Sequence, residues 1–84
     1  MEREQIIGKV KAIVKPYATN AEAYDNLNED TDFIKDLNIN SSNLVDIVLD
    51  TEEAFNVVID NIEMERMLNV RAAVEIIEDK IAAQ

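Results

Sequence analysis

The chain has 84 residues, a net charge of -10, no cysteine and no histidine. That length allows one small domain, 1–84, which buries only about 60–65% of its extended-chain surface and leaves little room for a deep catalytic centre. The missing residue types exclude disulfides and thiolate chemistry, and they remove the commonest general base and transition-metal ligand.

The charge is unevenly spread. Residues 36–65 hold eight acids and no base. Such a stretch repels nucleic acid and attracts basic protein surfaces. The opening MEREQIIGKVKAIVK is charged and periodic, unlike the apolar core of a signal peptide. No apolar run reaches membrane-spanning length. The expectation is a soluble, cytoplasmic monomer.

The first helix is predicted from Glu2 to Lys15. Ile6, Ile7, Val10, Ile13 and Val14 recur at helical spacing on one face. Pro16 should end it. Residues 17–40 show no sustained period and read as a long loop. Tyr24, Leu27, Phe33, Ile34 and Leu37 are its expected anchors in the core. Its acids do not match a calcium loop: counting from Asp25, Leu27 stands at position 3 and Asp30 at the position that needs glycine. No metal site is expected.

The second helix is predicted from Ser41 to Phe55. At about 100° per residue, Leu44, Ile47, Val48, Thr51, Ala54 and Phe55 share one side. Val45, Asp46, Leu49, Asp50, Glu52 and Glu53 collect on the other. Aliphatics set among carboxylates suit a transient protein-binding face, with Ile62 near it. Asn56 reads as the stop. A short helical turn is predicted over Ile62 to Met67. The last helix is predicted from Val70 to Ala82, with Asn69 as its cap and Val70, Ala73, Val74, Ile77 and Ile81 as its buried stripe. The fold class is all-α: a small four-helix bundle of three main helices, one short helix and a long loop between the first and second.

Ser41 and Ser42 invite a chemical reading. Asn40-Ser41-Ser42 fits an N-glycosylation pattern, which has no meaning without secretion. Hydrolysis by either serine lacks a histidine base. Capping is the ordinary role: Asn40 or Ser41 would accept hydrogen bonds from free N–H groups of the helix. A helix N-terminus also favours a phosphate placed on such a hydroxyl. The wheel does not choose between the serines, and it sets Ser42 nearer to Leu49.

The stretch DLNINSSNLVDIVLDTEEAFNVVIDN, followed by NVRAAVEIIEDKI, resembles the acyl carrier proteins. Those carry Asp-Leu-Gly-x-Asp-Ser-Leu, then an acidic helix ending Glu-Glu-x-Phe. The match runs without a gap from Asp36 to Ile81 and extends over the first helix. In its register, from Asp36-Leu37 to Phe55, Ser41 takes the position that receives 4′-phosphopantetheine from coenzyme A. Asn40 stands for the family's Asp and Ser42 for its Leu.

The resemblance implies a carrier rather than an enzyme. The arm's thiol would hold acyl intermediates as thioesters. Val48, Phe55, Ile59, Met64, Met67 and Ala73 would shelter the acyl chain. Asn40, Ser42, Val45, Asp46, Leu49, Glu52, Glu53 and Ile62 would meet partners: a phosphopantetheinyl transferase, acyl transferases, ketoacyl synthases and other enzymes with basic patches. The pathway would be fatty acid biosynthesis or a related acyl route. The alternatives are a carrier for a specialised polyketide or aminoacyl pathway, and an unmodified acidic adaptor.

Overall fold

The computed structural model describes residues 2–84, all but Met1. Helix α1 spans Arg3–Val14 and buries Ile6, Val10 and Val14, each one turn from the next. Ile7 and Ile13 flank that stripe and pack half-buried against the core. The helix stops within a residue of its predicted end, just ahead of Pro16, which cannot donate a backbone hydrogen bond.

The long connection holds one element that periodicity did not reveal. Helix α2 spans Ala21–Asp25, with the Asn20 side chain accepting from the Ala23 N–H at 3.1 Å. It is too short to display a helical period, and none of its residues is buried. The expected anchors take their places in graded fashion. Phe33 and Leu37 are fully buried, Tyr24 and Leu27 are partly buried against the core, and Ile34 is half-buried. Ile39 is a further buried anchor that the sequence reading passed over.

Backbone hydrogen bonds stitch this loop to the start of the last helix. The Phe33 N–H donates to the Leu68 carbonyl at 3.0 Å, Val70 to Thr31 at 3.0 Å and Arg71 to Glu29 at 2.9 Å. Asp32 and Asn69 form an isolated antiparallel bridge there. Arg3 reinforces the corner: its guanidinium lies 2.7 Å from Glu29, 3.6 Å from Glu78 and 3.8 Å from Glu75.

Helix α3 spans Leu44–Phe55, three residues shorter at its start than predicted, because Ser41–Asn43 form a 3-10 turn instead. Its buried side is Ile47, Val48, Thr51 and Phe55, while Leu44 is half-buried. Ala54, expected on that side, is exposed. Thr51 keeps its buried hydroxyl satisfied by donating to the Ile47 carbonyl at 2.7 Å. Asn56 ends the helix at φ 54°, in the left-handed region, and the Val57 N–H reaches back to the Glu52 carbonyl at 3.1 Å. An L-residue with a Cβ is strained there, less so for asparagine. Asn56→Ala should therefore cost about 1–2 kcal/mol. Asn56→Gly should match the parent within a few tenths, because glycine carries no Cβ penalty. Urea midpoints check this, and equal midpoints for the two variants would refute the strain.

Helix α4 spans Asn61–Arg66, one residue earlier at each end than the predicted Ile62 to Met67. Asp60 and Glu63 cap each other reciprocally: Asp60 accepts from the Glu63 N–H at 2.8 Å, and Glu63 from the Asp60 N–H at 3.1 Å. Lys80 reaches Glu63 at 2.7 Å and ties α4 to helix α5, and that carboxylate raises the lysine's pKa. Helix α5 spans Val70–Ala82, with the Asn69 side chain accepting from the Ala72 N–H at 2.8 Å, as expected of its cap. Val70, Ala73, Val74 and Ile77 are buried, and Ile81 is half-buried. Helix α1 packs against both α3 and α5, and α4 closes against the same two. Among the described residues the fold is helical, without a strand.

Candidate functional site

The site is built where the loop enters α3. Asn38 adopts φ 54°, standing where the carrier motif has glycine. Asparagine is among the few residues that tolerate this conformation. The Asn38 carbonyl accepts from the Thr19 hydroxyl at 2.8 Å, which fixes the turn. Ile39 then plunges into the core and Asn40 emerges at the surface.

Asn40 is the cap. Its side-chain oxygen accepts from the Ser42 N–H at 3.0 Å and from the Ser42 hydroxyl at 2.9 Å. Its own carbonyl accepts from the Asn43 N–H at 2.9 Å. This bond from a residue three positions on tightens the backbone into the 3-10 turn before α3 takes over. The two serines are thereby told apart. Both are exposed. Ser42 spends its hydroxyl on Asn40, whereas the Ser41 hydroxyl takes no hydrogen bond among the described residues. An exposed, unengaged hydroxyl at the positive end of α3 fits a phosphodiester-linked arm: nothing need be displaced, and the helix dipole favours the added negative charge.

Below the serines, the outer side of α3 presents Val45 at 50% and Leu49 at 56% exposure, and Ile62 on α4 stands 64% exposed. Asp46, Asp50 and Glu53 are exposed around them. Two carboxylates of this face hold the fold as well. Glu52 is half-buried and accepts from the Ile59 N–H at 2.8 Å, so it pins the segment between α3 and α4. Asp50 accepts from the Tyr17 hydroxyl at 3.0 Å and raises that phenol's pKa. The helical wheel puts both acids outward, and neither partner is a neighbour in sequence. Only the folded chain shows these bonds.

The residues expected to shelter a guest lie together. Val48, Phe55, Ile59, Met67 and Ala73 are buried in one apolar cluster, and Met64 packs against it. The Lys9 ammonium sits 5.3 Å from the centre of the Phe55 ring, roofing this end of the cluster with a cation–π contact.

No family model matches the chain. It is similar to the acyl carrier protein of Cyanidium caldarium, with 39% identity over 79 residues, 94% of this chain and 90% of the relative. It is 32% identical to the acyl carrier protein of Coprothermobacter proteolyticus over 81 residues, 96% of each chain. It is 35% identical to that of Thermotoga maritima over 79 residues, 94% of this chain and 95% of the relative. Likeness over nearly the full length, on a helical fold with a serine presented at the head of its acidic helix, establishes that this chain belongs to the acyl carrier protein family.

Proposed function

We propose that Ser41 is the attachment point of a 4′-phosphopantetheine arm, and that the chain carries acyl groups in fatty acid synthesis without catalysing a reaction itself. The observation that carries this is the unengaged hydroxyl of Ser41 at the head of α3, in the register set by Asp36-Leu37 and Phe55. In attachment the Ser41 oxygen bonds to the phosphorus next to pantetheine in coenzyme A. The pyrophosphate P–O bond breaks, adenosine bisphosphate leaves, and the hydroxyl proton passes to a base of the transferase. When bound, the arm supplies the thiol for thioesters that a chain without cysteine lacks.

The rest of the chain binds and orients. Val45, Leu49 and Ile62 offer apolar contact to a partner, while Asp46 and Glu53 steer its basic patch. Asn40 and Ser42 form the rim nearest the arm. Glu52 contributes charge at that face while holding Ile59 in place. Val48, Phe55, Ile59, Met64, Met67 and Ala73 shelter the acyl chain, and the two methionines adapt to its length. The partners are a phosphopantetheinyl transferase, acyl transferases, ketoacyl synthases and similar enzymes. The reading includes a monomer at work in the cytoplasm. Among the described residues, no helix is long and apolar enough to cross a membrane.

The direct test is to incubate the wild-type protein with coenzyme A and a promiscuous transferase, then digest it and map the modified residue by tandem mass spectrometry. One arm, chiefly on Ser41, is expected. An arm chiefly on Ser42 would overturn the register, and an unmodified chain would overturn the attachment.

A further inference from the structure

We propose that Asn40 is a positioning residue that decides which of the two adjacent serines receives the arm. The proposal rests on the reading of Ser41 above and explains how a chain with Ser-Ser at this point can favour one of the two.

Ser41 and Ser42 share the 3-10 turn, and both are exposed. Exposure therefore does not separate them. What separates them is Asn40, whose side-chain oxygen takes both the N–H and the hydroxyl of Ser42, at 3.0 and 2.9 Å. The backbone that carries it is fixed in turn, because the Asn43 N–H bonds to the Asn40 carbonyl at 2.9 Å and closes the turn.

A serine that attacks phosphorus must point its oxygen at the donor and give its proton to the transferase's base. Ser42 has its proton committed to Asn40, and its side chain is turned back towards the loop. It must break that bond before it can react. Ser41 has no such bond to break. Both serines would react by the same exchange of a pyrophosphate P–O bond for a serine P–O bond, so the difference lies in readiness alone. A net hydrogen bond of ordinary strength corresponds to about a fivefold bias in rate.

The test uses wild type, Asn40→Gly, Asn40→Ala and Asn40→Asp, each brought to partial conversion with coenzyme A and a promiscuous transferase. Peptide mapping then gives the share of arm on each serine. Asn40→Gly removes the accepting oxygen at little cost to the helix, since glycine is tolerated at this capping position. Asn40→Ala serves as the second variant, and helical circular dichroism confirms that each is folded. The ratio of arm on Ser42 to arm on Ser41 should rise about fivefold in both the glycine and alanine variants. Asn40→Asp should behave as wild type, because a carboxylate oxygen accepts the same two bonds. An unchanged share on Ser42 in the folded glycine and alanine variants would overturn the proposal and leave Asn40 as a cap, with Ser41 still the site. A wild-type arm chiefly on Ser42, or none at all, would overturn the attachment reading and this proposal together.

Discussion

Ser41→Ala should load with coenzyme A and a transferase about fivefold more slowly than wild type, and only at Ser42, whereas Ser42→Ala should gain one phosphopantetheine at the wild-type rate. The effect arises because alanine has no oxygen to bond to phosphorus and the remaining serine is held by Asn40. It should also be purely chemical. The Ser41 hydroxyl is exposed and makes no hydrogen bond among the described residues, so its removal should change stability by less than about 0.5 kcal/mol. Ser42→Ala gives up the bond to Asn40 and should lose slightly more, though still a small amount at an exposed site. Intact mass gives the first result and thermal melting the second. Arm addition to Ser41→Ala at the wild-type rate would mean that the sequence register is one residue off. Failure of both variants to load, beside a wild type that loads, would point to a transferase that reads the whole turn.

Phe33→Ala should strip away a large share of the fold's stability. The ring is fully buried in the core, where the loop meets the start of α5. Removing it leaves a cavity, and such substitutions cost about 3–5 kcal/mol. A chain of this length has roughly 4–12 kcal/mol of stability in total. The same residue's N–H secures Leu68, so loosening Phe33 also loosens the start of α5. Tyr24→Ala is the useful contrast. Tyr24 sits in α2 and is only partly buried, so its loss should cost about 1 kcal/mol. Urea unfolding of both variants would decide the matter. Equal midpoints would show that the loop contributes to the core evenly rather than through Phe33.

The sequence made the three long helices legible because each buries a stripe at regular spacing. Val70, Ala73, Val74 and Ile77 are read correctly for this reason, and so are Ile6, Val10 and Val14. Caps are legible where one residue type dominates a role, as Asn69 does at the start of α5 and Asn56 does at the end of α3. Helix α2 is hidden because five residues without a buried face carry no period. The 3-10 turn is hidden because a serine pair after asparagine suits an α-helix start equally well. The side chain of Asn40 decides between them, and its bond to Ser42 appears only in three dimensions. The inward pull of Glu52 is hidden for a related reason: its partner is the backbone of Ile59, and a backbone amide leaves no mark on composition. As for the serines, only the family register and the bonds of Asn40 distinguish Ser41 from Ser42.

The bridge between Asp32 and Asn69 sets how the loop can change in length over evolution. Around it, buried Thr31 and Phe33 flank the half-buried Asp32, so the extended segment alternates inward and outward. Inserting or deleting one residue there would shift that alternation by one and drive the Asp32 carboxylate towards the core in place of the Phe33 ring. Connecting segments usually absorb such changes easily, since loop closure grows costlier only slowly with length. Here that latitude is confined to the stretch around α2, which has no fully buried residue. Residues 29–33 must keep step with residues 68–71 as strictly as paired strands do.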